Sequence, residues 1–79
     1  NPKTIIRFDL PKESNVKILI YDILGRLTKK LMDNRQSTGF KSIQWDATNN
    51  YGKKVSAGVY LYRIEAGDFR QTKKMVLLK

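Results

Sequence analysis

The chain contains no cysteine and no histidine. Without cysteine there is no disulfide framework and no thiol nucleophile, and without histidine the commonest general base is missing. The seven acidic residues are scattered, and no two of them have a spacing typical of acid/base catalysis. The sequence also has no zinc-ligand spacing and no phosphate-binding glycine loop. We therefore expect a domain that is not an enzyme and that holds no cofactor and no metal ion.

Long apolar runs are missing as well. No stretch of about 18 apolar residues exists, so we expect no membrane-spanning helix and no direct insertion into a membrane. With 79 residues, the chain is long enough for one domain with a thin core. We expect residues 1–79 to form a single domain that is a module of a longer protein.

Acidic residues are few relative to basic ones. Lysine and arginine total 16, the net charge is +9 and the sequence pI is near 10.1. Such a balance raises the possibility of a nucleic acid, an anionic lipid or an acidic polysaccharide as partner. The basic residues are spread over every segment, however, and the tightest clusters are only pairs. This distribution favours a well-solvated surface, and we expect no nucleic-acid partner.

The segment 57–64, AGVYLYRI, predicts a central β-strand that begins at Gly58. It is rich in β-branched and aromatic residues, which suit a pleated and half-buried surface. Because side chains alternate along a strand, both faces of this segment carry large apolar groups. We therefore predict an interior strand that is covered on both sides.

Six further segments have strand-like patterns, and no segment has a convincing helical one. Turn clusters separate them at intervals of roughly 8–12 residues, which is typical of a two-sheet β-sandwich. The parity change between Phe40 and Trp45 predicts a bulge, and 33–39 reads as a polar loop. In the last strand, alternation predicts that Val76 and Leu78 pack inward. Lys73, Met75, Leu77 and Lys79 are then expected to point outward or to the other sheet. The predicted strands are 4–10, 16–23, 27–32, 40–46, a short edge strand at Val55, and 69–78.

Two groups of residues have both a structural and a functional interpretation. The oxygens of Asp46, Thr48, Asn49 and Asn50 are possible calcium ligands, but only one of the four is charged, which favours a turn held by side-chain bonds to backbone.

Aromatic residues form the second group. Trp45, Tyr60, Tyr62 and Phe69 could form a platform for a sugar or for single-stranded nucleic acid. Aromatic residues on the strands of a small domain more often fill its core, and we favour that interpretation.

The sequence contains the motifs NPKTIIRFDLP at 1–11, IYDILGR at 20–26, Trp45-Asp46, Gly58-Val59-Tyr60 and KKMVLLK at 73–79. Together these motifs resemble the type A C-terminal sorting domain of the type IX secretion system. The same pattern also resembles the immunoglobulin-like domain of the flagellar hook-capping protein. Ala47 and Tyr51 depart from the family pattern, which affects the expected conformation of their loop.

This resemblance implies an all-β, immunoglobulin-like β-sandwich of about seven antiparallel strands that ends a secreted cargo protein. Such a domain is a secretion signal that an outer-membrane type IX translocon or shuttle protein recognises, and a cell-surface sortase then acts on it. The expected location is the cell surface or the exterior of a Bacteroidota-like bacterium, reached through the periplasm and the outer membrane. The resemblance points to Lys73, Lys74 and Lys79 for recognition, and to Gly58 and Tyr60 for the geometry that presents them.

Two alternatives remain open from the sequence. A structural assembly module of the hook-capping type would self-associate or bind flagellar protein. A carbohydrate-binding accessory domain of a secreted hydrolase would need Trp45 or a tyrosine to be exposed.

Overall fold

The fold is known from a computed structural model, which describes residues 4–78. The two-stranded sheet pairs β1 with β4, and the four-stranded sheet has the order β3-β2-β5-β6, with every neighbouring pair antiparallel. This arrangement confirms the predicted all-β sandwich. Within residues 4–78 there is no helix with the length and apolar character needed to cross a membrane. The strands are β1 (Thr4–Leu10), β2 (Ser14–Asp22), β3 (Leu27–Gln36), β4 (Gly39–Trp45), β5 (Gly58–Ala66) and β6 (Phe69–Leu77).

The core lies between the two sheets and is built from the inward-facing half of each alternating strand. It divides into two neighbouring clusters, which share the half-buried Leu31 and Tyr62. No buried side-chain nitrogen or oxygen in the described range lacks a hydrogen-bond partner. The first cluster is Ile6, Leu10, Val16, Ile18 and Ile64, and the second is Ile20, Trp45, Ala47, Tyr60 and Leu77.

The described range contains six strands, and the predicted short strand at Val55 is wrong. The backbone N–H of Val55 donates to the carbonyl oxygen of Ala47 at 2.9 Å, and an isolated bridge joins Thr48 to Lys54. The loop therefore closes on itself and does not extend either sheet. Ala47 has a φ of +64°, which lets the chain reverse directly after β4.

Two local predictions on the third and fourth strands are also wrong. The predicted polar loop at 33–39 is mostly strand, because β3 runs to Gln36 and pairs with β2 along its length. An edge strand with one face in solvent can carry polar residues, so polarity was a poor sign of a loop. The predicted bulge in β4 is absent, since β4 pairs with β1 in unbroken register. Phe40 simply lies on the outer face, where 90% of it is exposed.

The strand β5 lies between β2 and β6, which confirms its predicted interior place in the sheet. Cover on both sides was also predicted, and that is wrong. Tyr60 and Ile64 face the core, whereas Val59 and Leu61 are half-buried on the outer face of the four-stranded sheet. The described residues form only two layers, so this outer face is shielded only by neighbouring side chains on the same sheet.

The inward residues of β6 are the reverse of those predicted. Met75 pairs with the core-facing Tyr60, so Met75 shares the core face of the sheet, and Leu77 follows two residues later. Leu77 is 2% exposed and Val76 is 57% exposed. The residues of β6 do alternate between the two faces of the sheet. Which alternate set faces the core depends on the pairing with β5, and it could not be predicted from the sequence of β6 alone.

Candidate recognition surface

The strand β6 is the candidate recognition element. It is an edge strand that pairs only with β5 among the described strands. Its first six residues, 69–74, are all exposed, and its attachment to the core relies on Leu77 and the half-buried Met75. An edge strand of this kind offers unpaired backbone groups and accessible side chains to a partner.

Two of the three predicted recognition lysines lie on β6, and both are exposed. Lys73 pairs with Tyr62 and therefore points to the core side of the sheet, although it remains exposed at the sheet edge. Lys74 pairs with Leu61 and points to the outer side. Their side chains therefore point to opposite faces and do not form one cationic patch. Lys79 lies outside the described residues.

The two predicted presentation residues lie next to the end of β6. Gly58 has a φ of +148°, a conformation that other residues rarely adopt, and it pairs with Leu77. The buried Tyr60 donates its hydroxyl to the carbonyl oxygen of Ser56 at 2.6 Å. Its ring meets the Trp45 ring edge-on, with centroids 5.3 Å apart and an interplanar angle of 71°. These contacts hold the start of β5, against which the end of β6 is paired.

In the loop after β4, the polar side chains form hydrogen bonds, which supports the interpretation that they hold a turn. Asp46 accepts bonds from the N–H and the hydroxyl of Thr48, and Asn49 Oδ1 accepts from the N–H groups of Tyr51 and Lys53. Asn50 Oδ1 accepts from the backbone N–H of Lys30 at 3.0 Å, which ties the loop to β3. No group of three or more potential metal-ligating side chains was found among residues 4–78. The side-chain oxygens suggested for calcium thus form hydrogen bonds within the loop or, for Asn50, to β3.

The four aromatic residues considered as a platform do not form one. Trp45 and Tyr60 are buried in the core, Tyr62 is half-buried, and Phe69 is exposed at the opposite end of β6. This placement confirms Trp45 as a core residue. A carbohydrate-binding role that depends on an exposed Trp45 therefore has no support in this fold. Tyr51 is exposed, so the form of that alternative that needs an exposed tyrosine stays a prediction.

A comparison with protein families identifies the chain. Residues 3–68 match the family described as the FlgD Ig-like domain. The chain is a member of this FlgD Ig-like domain family. The match covers most of the chain, and it includes all the strands up to the end of β5.

Solved structures place the same fold within two larger proteins. FlgD from P. aeruginosa superposes with a TM-score of 0.74 at 22% identity, over 95% of this chain and 58% of that one. Dimeric latent PorU from Porphyromonas gingivalis superposes with a TM-score of 0.76 at 28% identity, over 96% of this chain and 8% of that one. This FlgD Ig-like domain thus spans about three-fifths of one structure and a small part of the other. A search of curated proteins found no match.

The turn after β2 in this FlgD Ig-like domain is organised by one carboxylate. Asp22 Oδ1 accepts from the backbone N–H groups of Leu24 and Arg26, and Arg26 Nε donates to Asp22 Oδ2 at 2.9 Å. The bond from the Arg26 backbone is the main cause that lowers the pKa of Asp22 below its ordinary value of 3.8, and the Arg26 guanidinium adds to it.

We expect Asp22→Asn to lower the free energy of unfolding at neutral pH and to have a smaller effect in acid. A lowered pKa means that the stabilisation is complete above the unfolded value near 3.8 and is lost as pH falls through the folded value. Denaturant unfolding of both proteins at pH 7 and at pH 2.5 measures the difference. Asn49 supports an equivalent turn in this chain, so asparagine suits the backbone. An equal difference at both pH values would contradict the prediction.

The sequence analysis did not identify that two turns of this chain have the same structure. Residues 22–26 and 49–53 form turns with the same construction, and each has the pattern Asx, any residue, apolar, glycine, cation. The two sequences, DILGR and NNYGK, share this spacing but little identity. A search for repeated turn patterns, and not only for repeated residues, would have found it.

Proposed function

We propose that this domain is a non-catalytic C-terminal sorting module, which directs a cargo protein across the outer membrane through the type IX secretion system. The exposed edge strand β6 is the observation that carries this proposal, because it contains residues 73–77 of the motif KKMVLLK at 73–79, which resembles that of type IX sorting domains. An outer-membrane shuttle protein recognises the folded domain, and the cargo is then attached to the cell surface or released.

The construction of β6 suits recognition of a folded domain. Leu77 holds one end of the strand in the core, while residues 69–74 remain accessible. A receptor strand could pair with β6 at this edge. The Lys73 side chain would then lie on one face of the extended sheet and the Lys74 side chain on the other. Acidic receptor groups on either side of that strand would then form charge-assisted bonds to both lysines.

The match to PorU gives indirect support to a role as a module within a longer chain. There, the same fold accounts for 8% of the protein. A sorting domain stands in the same relation to its cargo, as a small folded unit in a chain whose other parts carry the activity.

A secretion assay tests the proposal. Residues 1–79 would be fused behind a fluorescent reporter targeted to the periplasm, in a bacterium with a working type IX system and in a matched strain without its translocon. We expect the reporter at the surface only in the competent strain. We expect Lys73→Glu combined with Lys74→Glu to reduce surface reporter roughly ten-fold, equivalent to about 1.4 kcal/mol of binding.

The matched control is Lys12→Glu combined with Lys30→Glu, which makes the same change of charge at exposed lysines outside β6. This control should be secreted normally. Retention of a folded domain in the periplasm of both strains would overturn the proposal, and equal secretion of both double variants would remove β6 as the recognised element.

A second candidate is a structural assembly module of the hook-capping type. Membership of the FlgD Ig-like domain family and the fold of FlgD favour it. In that case the secretion assay would fail, and the purified domain would self-associate or bind flagellar hook protein in sedimentation experiments.

A further inference from the structure

The two equivalent turns lie side by side at one end of the sandwich. Both border a shallow depression of about 780 Å³, which Leu24 and Tyr51 line together with Ile23 and Leu27. The start of β5 also lines it, and this places the C-terminal end of β6, with the exposed Val76, at the same end of the fold. The two turns and their shared depression are called the twin-turn end below.

Each turn presents a large apolar side chain at its tip. Leu24 is 74% exposed and Tyr51 is 88% exposed. Most of the exposed large apolar residues in the described range lie at this end, which is a distribution unlike that of single, scattered surface apolars. They are Ile23, Leu24, Leu27, Tyr51, Val76 and Leu78.

Three backbone N–H groups of each turn are already hydrogen-bonded within the turn. Asp22 accepts from the N–H of Leu24 and Arg26 through its side chain, and from that of Gly25 through its carbonyl. Asn49 does the same for Tyr51, Gly52 and Lys53. These backbone donors keep their partners when the tips leave water, which lowers the cost of placing a turn in an apolar medium.

The charge around these tips is positive. Each turn ends in a cation, Arg26 or Lys53, and Lys54 follows the second. Asp22 is the only acidic residue lining the depression, and it forms an ion pair with Arg26 at 2.9 Å. Residues 47–64 contain no acidic residue, and the preceding Asp46 accepts hydrogen bonds from Thr48.

We propose that the twin-turn end binds the surface of an anionic lipid bilayer, with Leu24 and Tyr51 in the interfacial region and Arg26, Lys53 and Lys54 at the headgroups. Apolar side chains next to cations are the combination that a negatively charged membrane surface attracts. Projecting tips with internally bonded backbones suit a soft lipid surface better than a rigid protein surface, which would need a matching cavity for each tip. The binding is peripheral, involves no spanning segment, and does not depend on the proposed sorting role.

Vesicle sedimentation tests this inference on the whole chain. The probes are vesicles of phosphatidylcholine alone and vesicles of phosphatidylcholine mixed equally with phosphatidylglycerol. We expect binding to the mixed vesicles only, with no competition from millimolar inorganic phosphate. Leu24→Ser combined with Tyr51→Ser should weaken that binding about 30-fold or more, since each tip loses apolar burial. Lys53→Gln combined with Lys54→Gln should weaken it roughly 10- to 30-fold at low salt.

Matched controls separate this site from the general effect of a net charge of +9. Phe40→Ser combined with Phe69→Ser removes two exposed aromatic residues at the opposite end of the sandwich, and Lys12→Gln combined with Arg70→Gln removes two exposed cations there. Both controls should bind as the unmodified protein does. Denaturant unfolding of every variant shows whether its fold is kept.

A second measurement follows the tip itself. The chain has no cysteine, so Leu24→Cys and Phe40→Cys can each carry one environment-sensitive dye. We expect a blue shift with mixed vesicles for the dye at position 24 only. No binding to mixed vesicles, or equal effects of the tip and control variants, would overturn the inference. Vesicle binding that free phosphate abolishes would instead indicate an anion site, and binding only to an acidic protein would indicate a protein partner; both overturn it.

Discussion

Replacement of Trp45 by alanine should lower the free energy of unfolding by about 3–5 kcal/mol, a large part of the stability of a domain this size. Trp45 is fully buried in the second core cluster, where it meets Tyr60 edge-on. Its Nε1 also donates to the carbonyl oxygen of Thr48 at 2.9 Å. The substitution therefore leaves a cavity and removes the hydrogen bond that holds the start of the following loop.

Urea denaturation followed by far-ultraviolet circular dichroism measures this effect, since the variant lacks the only tryptophan. Phe40→Ala is the control, because Phe40 is an aromatic residue on the strand that also contains Trp45, but its side chain faces solvent. We expect the control to change the free energy of unfolding by less than about 1 kcal/mol. A loss of less than about 1 kcal/mol for Trp45→Ala would contradict the described core.

Replacement of Leu77 by alanine should lower the free energy of unfolding by about 2–5 kcal/mol. Leu77 packs with Ile20, Trp45 and Tyr60, and it is the only fully buried residue of β6. Without it, β6 keeps its pairing with β5 but loses most of its attachment to the core. We therefore also expect faster amide hydrogen exchange in β6 than in β2.

The neighbouring residue provides the control for this prediction. Val76→Ala removes apolar atoms one position away, on the exposed side of the same strand, and should cost less than about 1 kcal/mol. Denaturant unfolding of the two variants compares them directly. A greater loss for Val76→Ala than for Leu77→Ala would mean that β6 has the opposite phase, with Val76 and not Leu77 in the core.

Much of the fold could be predicted from local pattern. The strand over residues 4–10 agrees with β1 because its alternation is uninterrupted and Pro11 marks its end. The interior place of β5 and the burial of Trp45 followed from residue type. The predictions of a strand at Val55 and of a loop at 33–39 were wrong. Whether a strand lies at a sheet edge, and how a loop closes, depend on neighbours that the local sequence does not contain.

Less of the candidate sites could be predicted from the sequence. Lys73 and Lys74 were found by resemblance, but their opposite directions follow from pairing with Tyr62 and Leu61. The twin turns each have a readable Asx and glycine pattern. Their closeness could not be predicted from the sequence, because residues 27–48 separate the two turns along the chain. The sheet pairing brings both turns to one end of the sandwich.

The sequence by itself determined the all-β class, the presence of turn clusters between the strands, and the strong positive charge. These properties depend on residue type and on the two-residue period of a strand, both of which are local. Tertiary structure alone decided which face of β6 is buried and which two turns share one end of the sandwich. The physical reason is that strand phase and loop neighbourhood are set by cross-strand pairing, which joins residues far apart in the chain.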